Sequence, residues 1–350
     1  LFLVSGKEDV LMLESTQHRN QRSRMRKRHH RKNYRIGVCC LIVMVFIAAV
    51  LLIGNIAIVP QFYGNSMAGQ TNGQNLSGSN STSQSDFIDL ENLYSPYAIL
   101  IDASSGEVIS EYNSGDKIYP ASLTKIMTAI LAIENTPDLE QNITLPYDIF
   151  PPLYAENASM AGFQPEENVV LKDLLYGIML PSGAECCIAF AERISGSEQQ
   201  FVSLMNEKAK ELGMKNTHFT NSTGLHNPEH YSTVEDLGIL LQYAVKNEDF
   251  RAAFTSSRYS THSSEQHPDG FTFYSTMFKY MDSTEVVGGE IIGGKTGYTE
   301  EAGLCLASLA QIHGKEYILV TAKANGTHQT EQFHILDAIN VYNQIGEKNL

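Results

Sequence analysis

Residues 101–134 read IDASSGEVISEYNSGDKIYPASLTKIMTAILAIE. Two apolar, β-rich runs, the first opening near Tyr97, flank Ser104-Ser105-Gly106, which is a hairpin signal. After Pro120 the period changes. Leu123, Ile126, Met127, Ile130, Leu131 and Ile133 recur at helical spacing and predict a helix with a buried face. Pro120 suits its start, because proline biases the preceding residue away from helix.

Outward from this stretch, 171–179 and 184–194 predict two helices separated by Pro181-Ser182-Gly183. Residues 201–212 and 234–246 predict two more. GLCLASLAQIHGKEYILVTAKA (303–324) predicts a second hairpin turning at His313-Gly314-Lys315, and 329–345 a terminal helix. Strands first, helices in the middle, then strands and a helix imply an α+β fold: one antiparallel sheet built from both ends of the domain, with a helical lobe between. Hydrophobic residues make up 43% of the 350, enough to bury a substantial core.

The net charge of −14 is unevenly placed. Residues 1–35 hold 10 Lys and Arg against 3 Asp and Glu, leaving 15 basic and 36 acidic residues in the remainder. An acidic globular part argues against nucleic acid as a partner. The basic run RSRMRKRHHRKNYR (22–35) precedes IGVCCLIVMVFIAAVLLIGNIAIV (36–59), which carries no charge. That length exceeds the roughly 20 residues needed to cross a bilayer. It also exceeds a signal-peptide core, and no small-residue cleavage site follows. Lys and Arg on its N-terminal side orient that side to the cytoplasm. The expectation is a basic cytoplasmic tail (1–35), one uncleaved transmembrane helix (36–59), a flexible linker (60–92) rich in Gly, Ser, Asn and Gln, and an extracytoplasmic domain (93–350).

Of five cysteines, Cys39 and Cys40 fall in the apolar run; Cys186, Cys187 and Cys305 have no metal-type spacing. Adjacent cysteines do not ordinarily bridge, so these three are expected to be small buried hydrophobes. His226-Asn-Pro-Glu-His230 lacks the Glu that a His-Glu-x-x-His zinc motif requires after its first His, and Pro228 opposes a helix, so a loop is expected. Neither a metal nor a cofactor is implied.

Three motifs follow one another: Ser122-Leu-Thr-Lys125, Ser182-Gly-Ala184 and Lys295-Thr-Gly297. Ser122 and Lys125 share one helix face. A serine hydroxyl needs a neighbouring base, and a lysine serves only with a neutral amine. Burial and a second cation, with Lys295 the candidate, would both lower its pKa. On an edge strand, Lys295 and Thr296 suit a carboxylate, and Gly297 would let its backbone come close.

In this order the motifs resemble those of the serine D-alanyl-D-alanine carboxypeptidases, the low-molecular-weight penicillin-binding proteins. So do the runs DLLYGIMLPSGAE (173–185), NTHFTNSTGLHNPEHYSTVEDLGILLQYA (216–244) and GGKTGYTEEAGLCLA (293–307). The similarity covers about 94–345. The resemblance implies a β-lactamase/transpeptidase-like fold and a D,D-carboxypeptidase that trims the terminal D-alanine from peptidoglycan stem peptides. Ser122 would be acylated with Lys125 as its base, and Ser182 would relay a proton to the leaving D-alanine. Lys295 and Thr296 would hold the terminal carboxylate, with Gly297 completing their motif. The backbone N–H groups of Ser122 and Tyr298 would form the oxyanion hole. β-Lactams would acylate Ser122 as inhibitors. Members often carry a further β-rich domain; here it is expected to be absent, with membrane attachment left to the N-terminal helix.

One position departs. The family's middle motif is usually Ser-x-Asn, and here the third residue is Ala184. Glu185 would stand in only if the backbone moved. Losing such a polar contact costs about 1–3 kcal/mol, or roughly tenfold to a hundredfold in rate. This leaves a catalytically silent cell-wall binding or regulatory homologue as the alternative. A β-lactamase is disfavoured, because Glu166-Glu167 precedes the middle motif where class A enzymes carry their deacylating Glu after it. The pair is expected to lie in a polar loop.

Overall fold

A computed structural model describes residues 88–348. The expected tail and transmembrane helix, and most of the linker, lie outside the described residues. Among those described, no helix is long and apolar enough to cross a membrane.

The first hairpin is present as β1 (Tyr97–Asp102) and β2 (Val108–Tyr112). Asp102 Oδ1 accepts from the backbone N–H groups of Ser104 (2.9 Å) and Ser105 (2.8 Å), which closes the turn. The helical lobe follows. It holds α1 (Lys125–Glu134), α2 (Phe150–Ala155), α3 (Leu171–Met179), α4 (Ala184–Ser195), α5 (Glu198–Leu212), α6 (Val234–Ala244) and α7 (Glu248–Phe254). Two small antiparallel pairs punctuate it: β3 (Asn142–Thr144) with β4 (Asn168–Val170), and β5 (Arg258–Ser260) with β6 (Thr272–Tyr274). Then come β7 (Glu285–Val286), β8 (Gly289–Thr299), β9 (Gly303–Ile312), β10 (Lys315–Ala324) and the terminal α8 (Phe333–Lys348).

The main sheet has six strands in the order β2-β1-β10-β9-β8-β7, all neighbours antiparallel. β1 is inserted beside β10, Tyr97 opposite Ala322, so both ends of the domain share one sheet, as the sequence predicts. Period-2 alternation divides the sheet between two cores. Ile99, Ile101, Ala307, Leu309 and Val320 face the helical lobe. Ala98, Leu100, Leu306, Ala310 and Leu319 face α8, meeting Ile335, Val341, Tyr342 and Ile345. Helices cover both faces, so β9 and β10 are buried along most of their length.

α1 runs through the middle of the lobe. Every residue from Lys125 to Ile133 is buried, which is why its sequence is apolar nearly all round. Burying each of its large aliphatic side chains contributes about 1.5–3 kcal/mol.

Several boundaries differ from expectation, three of them for a visible reason. Ile88 and Leu90, assigned to the linker, are buried in the α8-side core, so the packed domain starts before residue 93. α5 begins at Glu198 because Ser197 caps it, accepting from Gln200 N–H at 3.3 Å. The terminal helix begins at Phe333, not 329, because the chain first makes a side-chain-bonded turn. Thr330 Oγ1 accepts from Thr327 N–H at 2.9 Å, and Gln332 Nε2 donates to the Thr330 carbonyl at 2.6 Å.

Candidate active site

Ser122 lies on a 3-10 turn, Ala121–Thr124, that leads directly into α1, whose first residue is Lys125. The helical spacing brings Lys125 Nζ within 3.1 Å of Ser122 Oγ. The amine also donates to the Thr223 carbonyl at 2.6 Å, which fixes it at the serine. Thr223 belongs to a loop folded around Asn221, whose Oδ1 accepts from the N–H groups of Thr223 (3.2 Å) and Gly224 (2.7 Å). Gly224 has φ +81°, and a Cβ there would stand 1.9 Å from the Ala121 carbonyl oxygen, so only glycine lets this loop seat against the serine turn. The turn is itself strained: Ala121 has φ +46°.

The second pair is assembled from distant segments. Ser182 sits between α3 and α4 with φ +69°, a left-handed conformation uncommon for a residue with a side chain. Its hydroxyl accepts from Lys295 Nζ at 3.1 Å. Lys295 is on β8, fully buried, and its amine also donates to the Thr296 carbonyl at 2.9 Å. β7 pairs only with Glu290 and Gly289, so the β8 stretch carrying Lys295-Thr296-Gly297 is a sheet edge. A Cβ on Gly297 would lie 3.1 Å from both Ser122 N and the Pro120 carbonyl oxygen, so β8 runs directly against the serine turn. Ser122, Lys125, Ser182, Lys295, Thr296, Gly297 and Tyr298 are thus brought to one edge of the sheet.

Burial pushes both amines below their ordinary value. Lys295 is pushed down well below, with the Lys125 charge adding to burial. For Lys125 the next influences are upward, from Cys187 and Glu185. Desolvation is the largest cause at both amines, and two cations brought to one site disfavour each other's charge.

Sequence reading missed several supports. Thr124 Oγ1 is 2.8 Å from His230 Nε2, and His230 Nδ1 accepts from Thr220 N–H at 3.0 Å. An accepting Nδ1 assigns the proton to Nε2, which donates to Thr124. Burial lowers the pKa of His230 to about 4, so the ring is a neutral strut beneath the Lys125 turn. The loop expected at 226–230 is observed. Thr276 Oγ1 lies 2.7 Å from Thr296 Oγ1. Glu198 Oε1 accepts from Ser222 N–H at 2.8 Å and anchors the loop that carries Thr223. The legible signal was Asn221-Ser-Thr-Gly224, an Asx-turn sequence ending in glycine.

Ala184 is buried and its N–H donates to the Ser159 carbonyl at 2.8 Å. Glu185 is not its substitute. Its Oε1 is committed to the N–H groups of Ala161 (2.7 Å) and Gly162 (2.9 Å), and burial raises its pKa. Glu167 lies in a loop as expected but is buried, accepting from Gln164 N–H at 2.7 Å and bonded to His267 Nδ1 at 2.8 Å. Cys186, Cys187 and Cys305 are free and buried.

An α+β fold that delivers a lysine amine to a serine hydroxyl at the open edge of an antiparallel sheet is the transpeptidase-like fold of the serine DD-peptidases. The chain belongs to the D-alanyl-D-alanine carboxypeptidase family, Peptidase S11, whose profile matches residues 81–326. It is 38% identical over 220 residues to the D-alanyl-D-alanine carboxypeptidase DacF of Bacillus subtilis, covering 61% of this chain and 53% of that protein. To DacC of Escherichia coli it is 37% identical over 150 residues, covering 41% and 37%. The chain spans about half the length of the curated relatives it matches. Among solved structures, the Streptomyces K15 DD-transpeptidase superposes with a TM-score of 0.64 at 26% identity, covering 72% of this chain and 97% of that one.

Proposed function

We propose that this chain is a serine D,D-carboxypeptidase acting on peptidoglycan stem peptides. The observation that carries the reading is the 3.1 Å bond from a buried Lys125 amine to Ser122 Oγ, beside the Lys295-Thr296-Gly297 edge. Neutral Lys125 takes the Ser122 proton as Oγ attacks the carbonyl carbon of the penultimate D-alanine. The oxyanion turns to the N–H groups of Ser122 and Tyr298. The C–N bond breaks, and the proton passes through Ser182 to the departing amine of the terminal D-alanine. Water then hydrolyses the Ser122 ester and restores the hydroxyl. Thr296 and Lys295 flank the substrate's free carboxylate. A β-lactam presents a strained amide to the same serine, and its ester persists.

The reading includes attachment to the cell membrane through 36–59, with the N-terminus cytoplasmic and the catalytic domain outside. Apolar length and the basic flank support it. Ala184 favours a second reading, a catalytically silent wall-binding homologue.

Incubation with a labelled penicillin, followed by peptide mapping, separates the two. The expected result is one stable adduct on Ser122, lost in Ser122→Ala. A folded protein that takes no label, or takes it elsewhere, overturns the proposal. Rapid hydrolysis of the penicillin would indicate a β-lactamase.

A further inference from the structure

The segment 159–162, Ser-Met-Ala-Gly, lies against the second motif and meets it at three points. The Ala184 N–H donates to the Ser159 carbonyl at 2.8 Å. Ala161 packs on Gly183 so closely that a Cβ there would stand 2.6 Å from its own Cβ. Glu185 Oε1 accepts from the N–H groups of Ala161 (2.7 Å) and Gly162 (2.9 Å). Only the third of these ties is made by a polar side chain. On its other side the segment meets the β5–β6 hairpin. Gly162 has φ +119° and faces the Phe271 ring, and Phe163 meets that ring edge-on at 5.2 Å.

Glu185 is costly where it stands. It is 0% exposed, and its Oε2 is buried without a hydrogen-bond partner among the described residues. A buried carboxyl with one oxygen unpaired loses hydration that the protein does not replace. Its neighbours Ala184, Cys186 and Cys187 are small and apolar, as packing alone would ask. Ser182 is costly too, because its left-handed backbone persists only where its surroundings impose it.

We infer that Glu185 is a positioning residue for the proton transfer to the leaving group: by gripping the Ala161 and Gly162 amides it clamps 159–162 against the second motif, and so keeps Ser182 in its left-handed conformation with its hydroxyl on Lys295. The inference rests on the carboxypeptidase reading above, in which Ser182 passes the proton to the departing amine.

The clamp acts on one pair and not the other. Ser182 Oγ lies 3.1 Å from Lys295 Nζ across two distant segments, so a turn at 182–183 that relaxes carries the hydroxyl away from the amine. Lys125 is held at Ser122 by helix spacing and by the Thr223 carbonyl at 2.6 Å, and neither contact involves 159–162. Loss of the clamp therefore leaves nucleophile and base in place and impairs the step that needs Ser182.

The test compares two substrates that share one N-acyl-D-alanyl group. One is the peptide ending in D-alanine, whose amine must take a proton as the C–N bond breaks. The other is the thiolester of mercaptoacetate, whose C–S bond breaks to release a thiolate that needs none. The readout is the ratio of kcat/KM for peptide over thiolester. It cancels any change in the Ser122–Lys125 step, including the influence of the Glu185 charge on Lys125. Ser182→Ala is expected to lower the ratio about a hundredfold, the scale of a lost proton transfer. Glu185→Met is expected to lower it about tenfold, the scale of a lost polar contact. Glu185→Gln, whose amide oxygen still accepts both N–H groups, stays within about twofold of the native ratio. Glu185→Asp, drawn back by one methylene, lowers it about threefold and decides the matter if Glu185→Met does not fold. A native ratio in folded Glu185→Met, or in Glu185→Asp where it stands in, overturns the positioning role alone. A ratio as low in Glu185→Gln as in Glu185→Met also overturns it, because the effect then belongs to the charge and not to the clamp. A ratio unmoved by Ser182→Ala, or native protein that is not acylated on Ser122 by either substrate, overturns the carboxypeptidase reading and this inference together.

Discussion

The site contains two serine–lysine pairs with the same 3.1 Å separation and opposite origins. Ser122 and Lys125 lie on consecutive turns of one buried element, so helix geometry alone makes the contact. Ser182 and Lys295 are separated by 113 positions and meet only when a strained residue of the lobe reaches the edge of the sheet. Each amine makes a second bond to a backbone carbonyl, Thr223 for Lys125 and Thr296 for Lys295. One pair is set by local structure and the other by the fold. In the mechanism we propose, the first pair abstracts the proton and the second responds to substrate.

The sharpest way to break this assignment is to remove each amine in turn. Lys125→Met is expected to slow acylation of Ser122 by penicillin about a thousandfold or more, the scale of losing a general base. Lys295→Met is expected to slow it about a hundredfold, because the base is kept and only electrostatic support is lost. Stopped-flow acylation rates decide. If Lys295→Met is the more damaging, the roles of the two pairs are exchanged. Neither substitution should lower the melting temperature, since each replaces a desolvated amine with an apolar chain of similar volume.

The same contrast governs what was legible in the sequence. The Ser122–Lys125 contact followed from spacing three along a helix, and the two hairpins from alternation around Ser104-Ser105-Gly106 and His313-Gly314. Sheet closure by β1 against β10 followed from the order of elements, and the register did not. Nothing in the spacing of Ser182 and Lys295 brings them together; only the resemblance did. His230 was passed over as a loop histidine because its burial is created by packing against the turn that carries Thr124.

His230 gives an intermediate test, because it supports the first pair and not the second. Its pKa falls from 6.5 to about 4 on folding. Between those values the unfolded chain binds the proton and the folded protein does not, so stability falls as the pH falls from 6.5. The cost reaches roughly 2 kcal/mol by pH 5 for a histidine displaced this far. His334, also lowered to about 4, adds a similar amount. Urea unfolding at pH 7 and pH 5 measures the sum. His230→Gln is expected to remove about half of the pH-dependent loss. If the substitution leaves the loss intact, the ring is not buried in its neutral form beneath Lys125.

The smallest effect is expected where the two pairs come nearest to each other. Cys187 feels the charge of both Lys125 and Lys295, so the first turn of α4 lies near both amines. Ala184 is three residues earlier on the same helix face. An amide there would reach toward the groups that Glu185, held by Ala161 and Gly162, is unable to contact. Ala184→Asn is accordingly expected to raise the rate of acylation by penicillin up to about tenfold, the value of one polar contact. Ala184 is buried, so the larger side chain also costs about 1–3 kcal/mol of stability through overpacking. Faster acylation with a lower melting temperature would mean that the two pairs tolerate a polar bridge that this chain has given up. An unchanged or reduced rate would mean that Lys125 and Lys295 are already held as closely as the chemistry needs, by Thr223 on one side and Ser182 on the other.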